Sequence, residues 1–219
     1  MQQRQQDVLR QEPYSTARLY WNHDFRMLLS LQTVVEVAKL LGVESPLQPV
    51  LSFPLGANDV TLQDLAMLYQ SLATGQVFGD STSPKNHWSL IQRIENTGGR
   101  TIYEADHQSR NILDPGVNRA LQEIMRSVVE YGTGRRAKRF LQTEYAREDG
   151  KQVTVQIPAL GKTGTANNYS NATFVGHLPV PTRQGMQTRG GYTIAVYAGS
   201  DRPGEAEETL NRFRLTGSS

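Results

Sequence analysis

The chain has 219 residues, of which 37% are hydrophobic and 20% charged, with a formal net charge of +2. This composition is that of a globular protein with enough sequence for a core. The small net charge gives no argument for a nucleic-acid partner. Cysteine is absent, which excludes disulfides, thiol catalysis and thiolate metal sites. No apolar run reaches the roughly 20 residues that span a bilayer, and the polar start, Met1–Asp7, is not a secretory signal.

The amino-terminal part predicts helices. We predict a polar leader over residues 1–17 and a domain from 18 to 219. A short helix is expected to end near Ser30. A second one, ending at Gly42, follows from apolar residues at helical spacing, namely Val34, Val37, Ala38 and Leu41. The tripeptide Ser30-Leu31-Gln32 then lies at a junction between helices, where the commonest role of a serine is to cap the second helix.

Two further helices are well marked. A Pro-containing connector over residues 43–60 precedes a helix that begins at Thr61 and ends at Gly75, with Asp64 as a capping partner. Its predicted apolar stripe consists of Leu65, Leu68, Tyr69 and Leu72. The pair Asp114-Pro115 is typical of a helix start. The periodicity after it predicts a helix to Tyr131, with a stripe of Val117, Leu121, Ile124, Met125 and Val128.

The segments around these helices predict turns and strands. Residues 76–88 are expected to be a loop, and residues 89–95 and 100–104 two strands of a hairpin. Gly132-Thr133-Gly134 ends the last helix. The basic run Arg135–Arg139 is interpreted as a solvated turn, because no aromatic stacking platform accompanies it.

The carboxyl-terminal half predicts antiparallel strands. Asp149-Gly150 is typical of a tight hairpin, and the strands expected here are Leu141–Arg147, Lys151–Ile157, Ala172–Leu178 and Tyr192–Ala198. Pro179–Gly191 is expected to be a polar loop, and the tail after Asp201 shows no terminal helix. Helices early and strands late predict an α+β fold, an antiparallel sheet packed against a helical cluster.

The densest chemistry lies between these strands, in Leu160–Ala166. Lys162 supplies a positive charge, Thr163 and Thr165 supply hydroxyls, and Gly164 is expected to let a ligand approach the backbone closely. Because strands flank the run, we predict that it lies on a β-strand. A cation and hydroxyls on a strand suit the binding of a carboxylate beside an extended peptide.

Two other interpretations of this run are open. Gly161-Lys162-Thr163 is the end of a Walker A phosphate loop, but that motif needs an earlier glycine, where this chain has Gln156, and a helix directly afterwards. An ordinary strand with an exposed lysine is the plain alternative. Strict alternation puts Lys162 and the threonines on opposite faces, unless a twist at Gly164 turns both toward one cleft.

Taken together, the motifs resemble the transpeptidase domain of class A penicillin-binding proteins, which polymerise and crosslink peptidoglycan. The resemblance runs from about residue 18 to the end. It is carried by the Lys-Thr-Gly-Thr run, the Ser30-Leu31-Gln32 tripeptide, the helix segment from Leu55 to Gly75, and Gly132-Thr133-Gly134. Downstream of Lys-Thr-Gly-Thr it also includes Asn167, Asn168, Phe174 and Gly176. It implies a penicillin-binding transpeptidase or serine β-lactamase-like fold, incomplete at both ends.

The resemblance also implies roles. Ser30 would lie on the proton path to the leaving amine, and the Gln32 amide would bind the substrate backbone. Lys162 would tune the electrostatic field of the site and help to hold the substrate carboxylate. The Thr163 and Thr165 hydroxyls would bind that carboxylate, and the Thr165 N–H would be one oxyanion donor. Gln32 stands where the family has asparagine, which moves the amide outward by one methylene.

The family's nucleophile motif, Ser-x-x-Lys, does not occur in these 219 residues. We therefore expect a carboxyl-side portion of a D,D-transpeptidase that lacks its nucleophile. The alternative is a non-catalytic peptidoglycan-peptide module that has lost it. Expected partners are peptidoglycan stem peptides and β-lactams, with no cofactor or nucleic acid. The expected location is the periplasmic side of the inner membrane, with membrane attachment only through an upstream anchor.

Two expectations concern the rest of the surface. The four histidines, His23, His87, His107 and His177, show no ligand spacing, so we predict no metal site and expect surface or loop positions for them. Without covering helices, Val175, Ile194 and Val196 are expected to face water, which predicts poor solubility.

Overall fold

A computed structural model describes residues 15–79, 91–105, 108–146, 150–165 and 171–199. The architecture is α+β, with antiparallel sheets and a few helices. The helices are α1 (Thr16–Trp21), α2 (His23–Leu40), α3 (Leu62–Thr74) and α4 (Pro115–Glu130), with short 3-10 helices at Phe53–Leu55 and Ala137–Phe140. The strands are β1 (Gln76–Phe78), β2 (Arg93–Glu95), β3 (Thr101–Glu104), β4 (Ser109–Asn111), β5 (Gln142–Ala146), β6 (Gln152–Gln156), β7 (Leu160–Thr165), β8 (Asn171–Thr182) and β9 (Gly185–Gly199).

The predicted junction at Ser30 is wrong, because α2 runs without a break from His23 to Leu40. The cap of this helix is Asn22, whose side chain accepts hydrogen bonds from the Asp24 and Phe25 amides. The buried residues of α2 are Leu31, Val35 and Ala38, while Val34 and Val37 of the predicted stripe are exposed. The predicted leader boundary at residue 17 falls inside α1, and residues 1–14 lie outside the described part.

The predicted start and end of α3 are confirmed. Thr61 and Asp64 form a reciprocal capping box, and Gly75 ends the helix in the left-handed conformation, with φ of 72°. Asp64 also accepts hydrogen bonds from the backbone and hydroxyl of Ser45, so the preceding connector is fastened to the helix start. The side chains of the predicted stripe are only half-buried, whereas Met67 is buried.

Short strands precede and follow α4 in the chain. The predicted loop over residues 76–88 is wrong at its start, because β1 pairs with β4; residues 80–88 lie outside the described part. The predicted hairpin is confirmed as β2 paired with β3. Asp114 caps α4 as expected. Of its predicted stripe, Met125 is buried but Val117 and Ile124 are exposed. β5 pairs with β6.

The largest sheet has the strand order β7-β8-β9, and all pairs are antiparallel. The predicted polar loop over Pro179–Gly191 is wrong, because β8 continues to Thr182 and β9 begins at Gly185. The register shifts between Leu178 and Val180, on either side of Pro179, a residue that has no N–H to donate to a ladder. Beyond it, pairing continues to Thr182 and Gly185.

Helices α3 and α4 pack on this sheet. The core cluster consists of Ala73 from α3, Met125 from α4 and Leu160 from β7. Val175 is buried, against expectation, whereas Ile194 and Val196 are exposed as expected. One face of β9 therefore leaves apolar side chains uncovered by the described residues. The tail after Gly199 lies outside the described part.

Candidate functional site

The Lys-Thr-Gly-Thr run occupies β7, an edge strand of the sheet among the described strands. Its register with β8 is uninterrupted from Leu160 to Thr165. Directly paired residues share a face, so Lys162 and Gly164 lie on one face and Thr163 on the other. The register thus keeps strict alternation, with no bulge at Gly164. Lys162 and Thr165 are exposed, while Thr163 is buried.

Thr163 is bonded to the turn that ends α4. Its hydroxyl lies 2.5 Å from the Thr133 hydroxyl, and either oxygen can be the donor. The Thr133 position is fixed by the turn itself, because the Gly132 and Gly134 amides donate to carbonyls in the last turn of α4. From the sequence, Thr133 was part of a helix end and of the family resemblance, with no role at the site assigned to it. Its contact with Thr163 depends on tertiary placement, for which the sequence carries no signal.

The space beside Gly164 is occupied by the chain itself. A side chain at this position would place its first carbon 2.6 Å from the Thr173 hydroxyl oxygen on β8. Such a separation is well inside van der Waals contact. The need for glycine at position 164 is therefore explained by Thr173, a residue that sequence reasoning missed, without a ligand.

The Lys162 ammonium donates a hydrogen bond of 2.6 Å to the Thr163 carbonyl. Among the described residues, no carboxylate forms an ion pair with it. The ammonium is therefore held close to the strand while its charge remains uncompensated by these residues. It has further donors that an anionic ligand can use.

Phe174 anchors the sheet next to this run. Its ring lies over two glycines, since a side chain at Gly161 or Gly176 would come within 3.0 or 2.8 Å of the ring carbons. The ring also faces Gly134, where an added carbon would meet it at 3.4 Å. The glycines that flank the motif therefore serve the packing of one aromatic ring.

Ser30 and Gln32 lie on α2 and are exposed. The Ser30 hydroxyl donates to the Arg26 carbonyl at 2.8 Å, and the Gln32 amide donates to Glu36 at 2.8 Å. Both bonds stay within the helix, so neither residue is held by β7. The structure thus brings together Lys162 to Thr165, and it joins neither Ser30 nor Gln32 to them through a hydrogen bond among the described residues.

Three other predictions from the sequence can be compared with the structure. Gly161-Lys162-Thr163 lies within a paired strand, which contradicts a phosphate loop that opens a helix. Within the described ranges, no group of three or more acidic or histidine side chains is placed to hold a metal ion. His87 and His107 lie outside these ranges.

No helix in the described part of the chain combines the length and apolar character that a bilayer crossing requires.

The sequence predicted a surface or loop position for His177, and this prediction is wrong. His177 lies in β8 and is buried. Its Nε2 lies 2.9 Å from the Thr188 carbonyl, which can only accept, so Nε2 carries the proton. Nδ1 lies 2.8 Å from the Thr193 hydroxyl, which must therefore donate to it in the neutral ring. Burial lowers the pKa of His177, although the bond to Thr188 acts in the opposite direction.

The fold and site define an α+β protein built on an edge strand that displays a cation and a hydroxyl. No family model matches the chain. It is 27% identical over 191 residues to penicillin-binding protein 1A of Rickettsia typhi, covering 81% of this chain and 21% of that relative. With penicillin-binding protein 1A of Aquifex aeolicus, identity is 30% over 151 residues, or 69% of this chain and 18% of the relative.

A further match is penicillin-binding protein 4 of Bacillus subtilis, 29% identical over 131 residues, which is 59% of this chain and 16% of that protein. The chain thus spans about a fifth of the length of the curated relatives it matches. The resemblance noted from the motifs is confirmed, and the chain is related to the class A penicillin-binding proteins.

Proposed function

We propose that the chain is part of a D,D-transpeptidase domain, which crosslinks peptidoglycan by acyl transfer from D-Ala-D-Ala stem peptides and binds β-lactams. The similarity to penicillin-binding proteins over most of the chain supports this proposal. The observation that carries it is the Lys162–Thr165 run on edge strand β7, with an ammonium free of any described carboxylate partner. An extended peptide can lie beside such an edge.

In this proposal the exposed groups of β7 bind the ligand. Lys162 is exposed, so its ammonium would hold the terminal carboxylate. Thr165 is exposed on the opposite face of the strand, so its hydroxyl would reach that carboxylate only across the edge of β7. Thr163 is buried against Thr133. If Thr133 is the donor in that pair, the Thr163 hydroxyl keeps its own proton for the carboxylate. The Thr165 N–H would be one oxyanion donor, and Gly164 would keep the strand close to the ligand.

Ser30 and Gln32 would act from α2. The Ser30 hydroxyl would enter the proton path to the leaving amine only after it releases the Arg26 carbonyl. Rotation about one side-chain bond suffices for this, because a serine hydroxyl on a helix exchanges between its backbone acceptor and outside partners. Gln32 would release Glu36 to reach the substrate backbone.

The attacking serine of this chemistry would come from outside these 219 residues, because none of their serines is followed by lysine three positions later. We therefore expect reversible binding by this chain and no acylation of it. The proposed fold is that of penicillin-binding transpeptidases. The proposed place of action is the cell envelope, on the periplasmic side of the inner membrane, with any membrane attachment through an upstream anchor.

The second candidate is a non-catalytic module that binds peptidoglycan peptides. Gln32 favours it, because glutamine replaces the family's asparagine and is engaged by Glu36. The reading frame upstream of Met1 separates the two candidates. A Ser-x-x-Lys segment in frame favours the enzyme, and an unrelated gene favours the module.

Peptide binding to the purified chain tests the site itself. A peptide ending in D-Ala-D-Ala should raise the melting temperature of the native chain and of an Arg100→Ala control, which removes one exposed positive charge between β2 and β3. Lys162→Ala should abolish the shift, because it removes the cation beside the carboxylate. An equal shift in Lys162→Ala would refute the proposed site. Covalent labelling of residues 1–219 by a fluorescent penicillin would refute the argument that the nucleophile lies elsewhere.

A further inference from the structure

The segment that follows α4 displays an unusual set of side chains. We call residues 131–140 the basic turn. Its two aromatic residues are largely exposed, Tyr131 by 82% and Phe140 by 85%. Three arginines in the same segment are also exposed: Arg135, Arg136 and Arg139. None of the three forms an ion pair with any residue in the described ranges.

This surface is held in place by hydrogen bonds at both ends. The Gly134 amide donates to the Val128 carbonyl at 2.9 Å. Lys138 forms an ion pair with Glu130, whose side chain is only 14% exposed. The Gln156 amide donates to the Lys138 carbonyl at 2.8 Å. The backbone of the basic turn is therefore fastened to α4 and to β6, and the arginines extend from a fixed support.

The basic turn is continuous with the candidate site. Thr133 belongs to it, and its hydroxyl lies 2.5 Å from that of Thr163 on β7. Arg135 follows Thr133 by two residues. The backbone that carries the arginines is therefore bonded, through Thr133, to the strand that carries Lys162. No aromatic platform was expected beside the basic run, but the structure exposes Tyr131 and Phe140 at its ends.

We propose that the basic turn is a second binding region, which holds the carboxylates of an acidic peptide whose carboxyl terminus occupies β7. This inference rests on the proposed function and extends it to the part of the ligand away from the reacting end. Guanidinium groups bind carboxylates through paired N–H donors, and the Lys138 ammonium is already engaged by Glu130. The exposed rings of Tyr131 and Phe140 offer apolar contact to the peptide between its charges.

An acidic peptide fits this surface better than the other polyanions. The hydrogen bond between Thr133 and Thr163 joins the basic turn to β7. The ligand proposed for β7 is a peptide that binds through its carboxylate, so a peptide is the ligand expected at the basic turn too. A nucleic acid would need a broader positive surface, whereas the whole chain has a net charge of only +2. Vesicles containing an anionic phospholipid and a single-stranded oligonucleotide serve as the competing probes below.

The experiment compares two charge-matched variants of the chain. The test variant is Arg135→Gln, Arg136→Gln and Arg139→Gln together. The control variant removes the same three charges from exposed arginines elsewhere in the fold, at Arg100, Arg119 and Arg183. Each is titrated by calorimetry with two peptides that end in D-Ala-D-Ala, one short and neutral upstream, the other extended by several acidic residues.

The extended peptide should bind the native chain and the control variant about tenfold more tightly than the test variant at low salt, since each exposed ion pair contributes roughly twofold. The difference should shrink at 0.15 M salt, where the Debye length falls to about 8 Å. The short peptide should bind all three proteins equally. Equal affinity of the extended peptide for the native chain and the test variant overturns the inference, as does arginine-dependent binding to vesicles or oligonucleotide without any to the acidic peptide.

The two proposals fail in different ways. If the short peptide does not bind the native chain while the acidic extension still binds through the arginines, the carboxylate site on β7 is refuted and the basic turn stands as an acidic-peptide site. If the short peptide binds but the extension adds no affinity, the proposed function stands and the basic turn carries no ligand.

Discussion

Thr133→Val should destabilise the protein more than Thr163→Val, although both remove the same hydrogen bond. The two hydroxyls differ in burial, since Thr163 is 8% exposed and Thr133 is an exposed residue of the turn. In Thr133→Val the buried Thr163 hydroxyl loses its partner. In Thr163→Val the hydroxyl that remains is that of Thr133, which can bond to water instead.

The expected magnitudes follow from this asymmetry. A buried hydroxyl without a partner costs about 1–3 kcal/mol, so Thr133→Val should lower the free energy of unfolding by about 1.5 kcal/mol. Thr163→Val should cost about 0.5 kcal/mol or less, because it places a methyl in a buried position and leaves the other hydroxyl in water. Once Thr163 has been replaced by valine, adding Thr133→Val should cost little, since no buried hydroxyl remains.

Urea unfolding of the two single variants and the double variant measures these values as a double-mutant cycle. Thr133→Ser keeps the hydroxyl and is the control for changes of side-chain shape. With costs of about 1.5 and 0.5 kcal/mol for the single variants and about 0.5 kcal/mol for the double variant, the predicted coupling between the sites is about 1.5 kcal/mol. Additive costs, or a larger cost for Thr163→Val than for Thr133→Val, would show that the two hydroxyls do not support each other.

The remaining predictions concern packing and pH. Gly164→Ala should cost about 1–3 kcal/mol of unfolding free energy, because its methyl meets the Thr173 hydroxyl; the cost should largely vanish with Thr173→Ala and persist with Thr173→Val, as measured by denaturant unfolding. His177 has a lowered pKa in the folded state, so the unfolded chain binds the proton first and stability should fall as the pH drops below about 6.5; a pH series of melting temperatures in which His177→Asn declines as steeply would contradict this. Burial raises the pKa of Asp64, but hydrogen bonds from Ser45, Glu44 and Thr61 together outweigh it, so the pKa is lowered. The ionised Asp64 therefore stabilises the fold above about pH 4, and this stabilisation should be lost as the pH falls through the folded-state pKa. Asp64→Asn should make the melting temperature less dependent on pH in this acid range.

Much of the fold follows from local signals. The capping box at Thr61 and Asp64, the Asp114-Pro115 helix start and the strand character of β7 are properties of a few neighbouring residues, and all are confirmed. The errors arise where tertiary packing decides. Ser30 looks like a junction because serine favours caps, but the helix continues through it and its hydroxyl bonds within the helix.

The long β8–β9 hairpin was missed for a related reason. Glycine, proline and polar residues between Pro179 and Gly191 are typical of a loop, and pairing between two chain segments keeps them in strands. At the site, the sequence indicated Lys162 and its neighbours from their chemistry. It could not indicate Thr133 or Thr173, because both contacts exist only once α4 and β8 have packed against β7.

The uncovered apolar residues of β9 have a consequence for the behaviour of the protein in solution. Tyr192, Ile194 and Val196 project from the same side of this strand, are exposed by 69%, 47% and 50%, and belong to an edge strand among the described strands. Two copies that meet along this edge gain both backbone pairing and apolar burial. At high concentration such strand-to-strand dimers should start aggregation, and the protein should precipitate. Ile194→Lys should delay this precipitation, because it introduces charge repulsion between the copies.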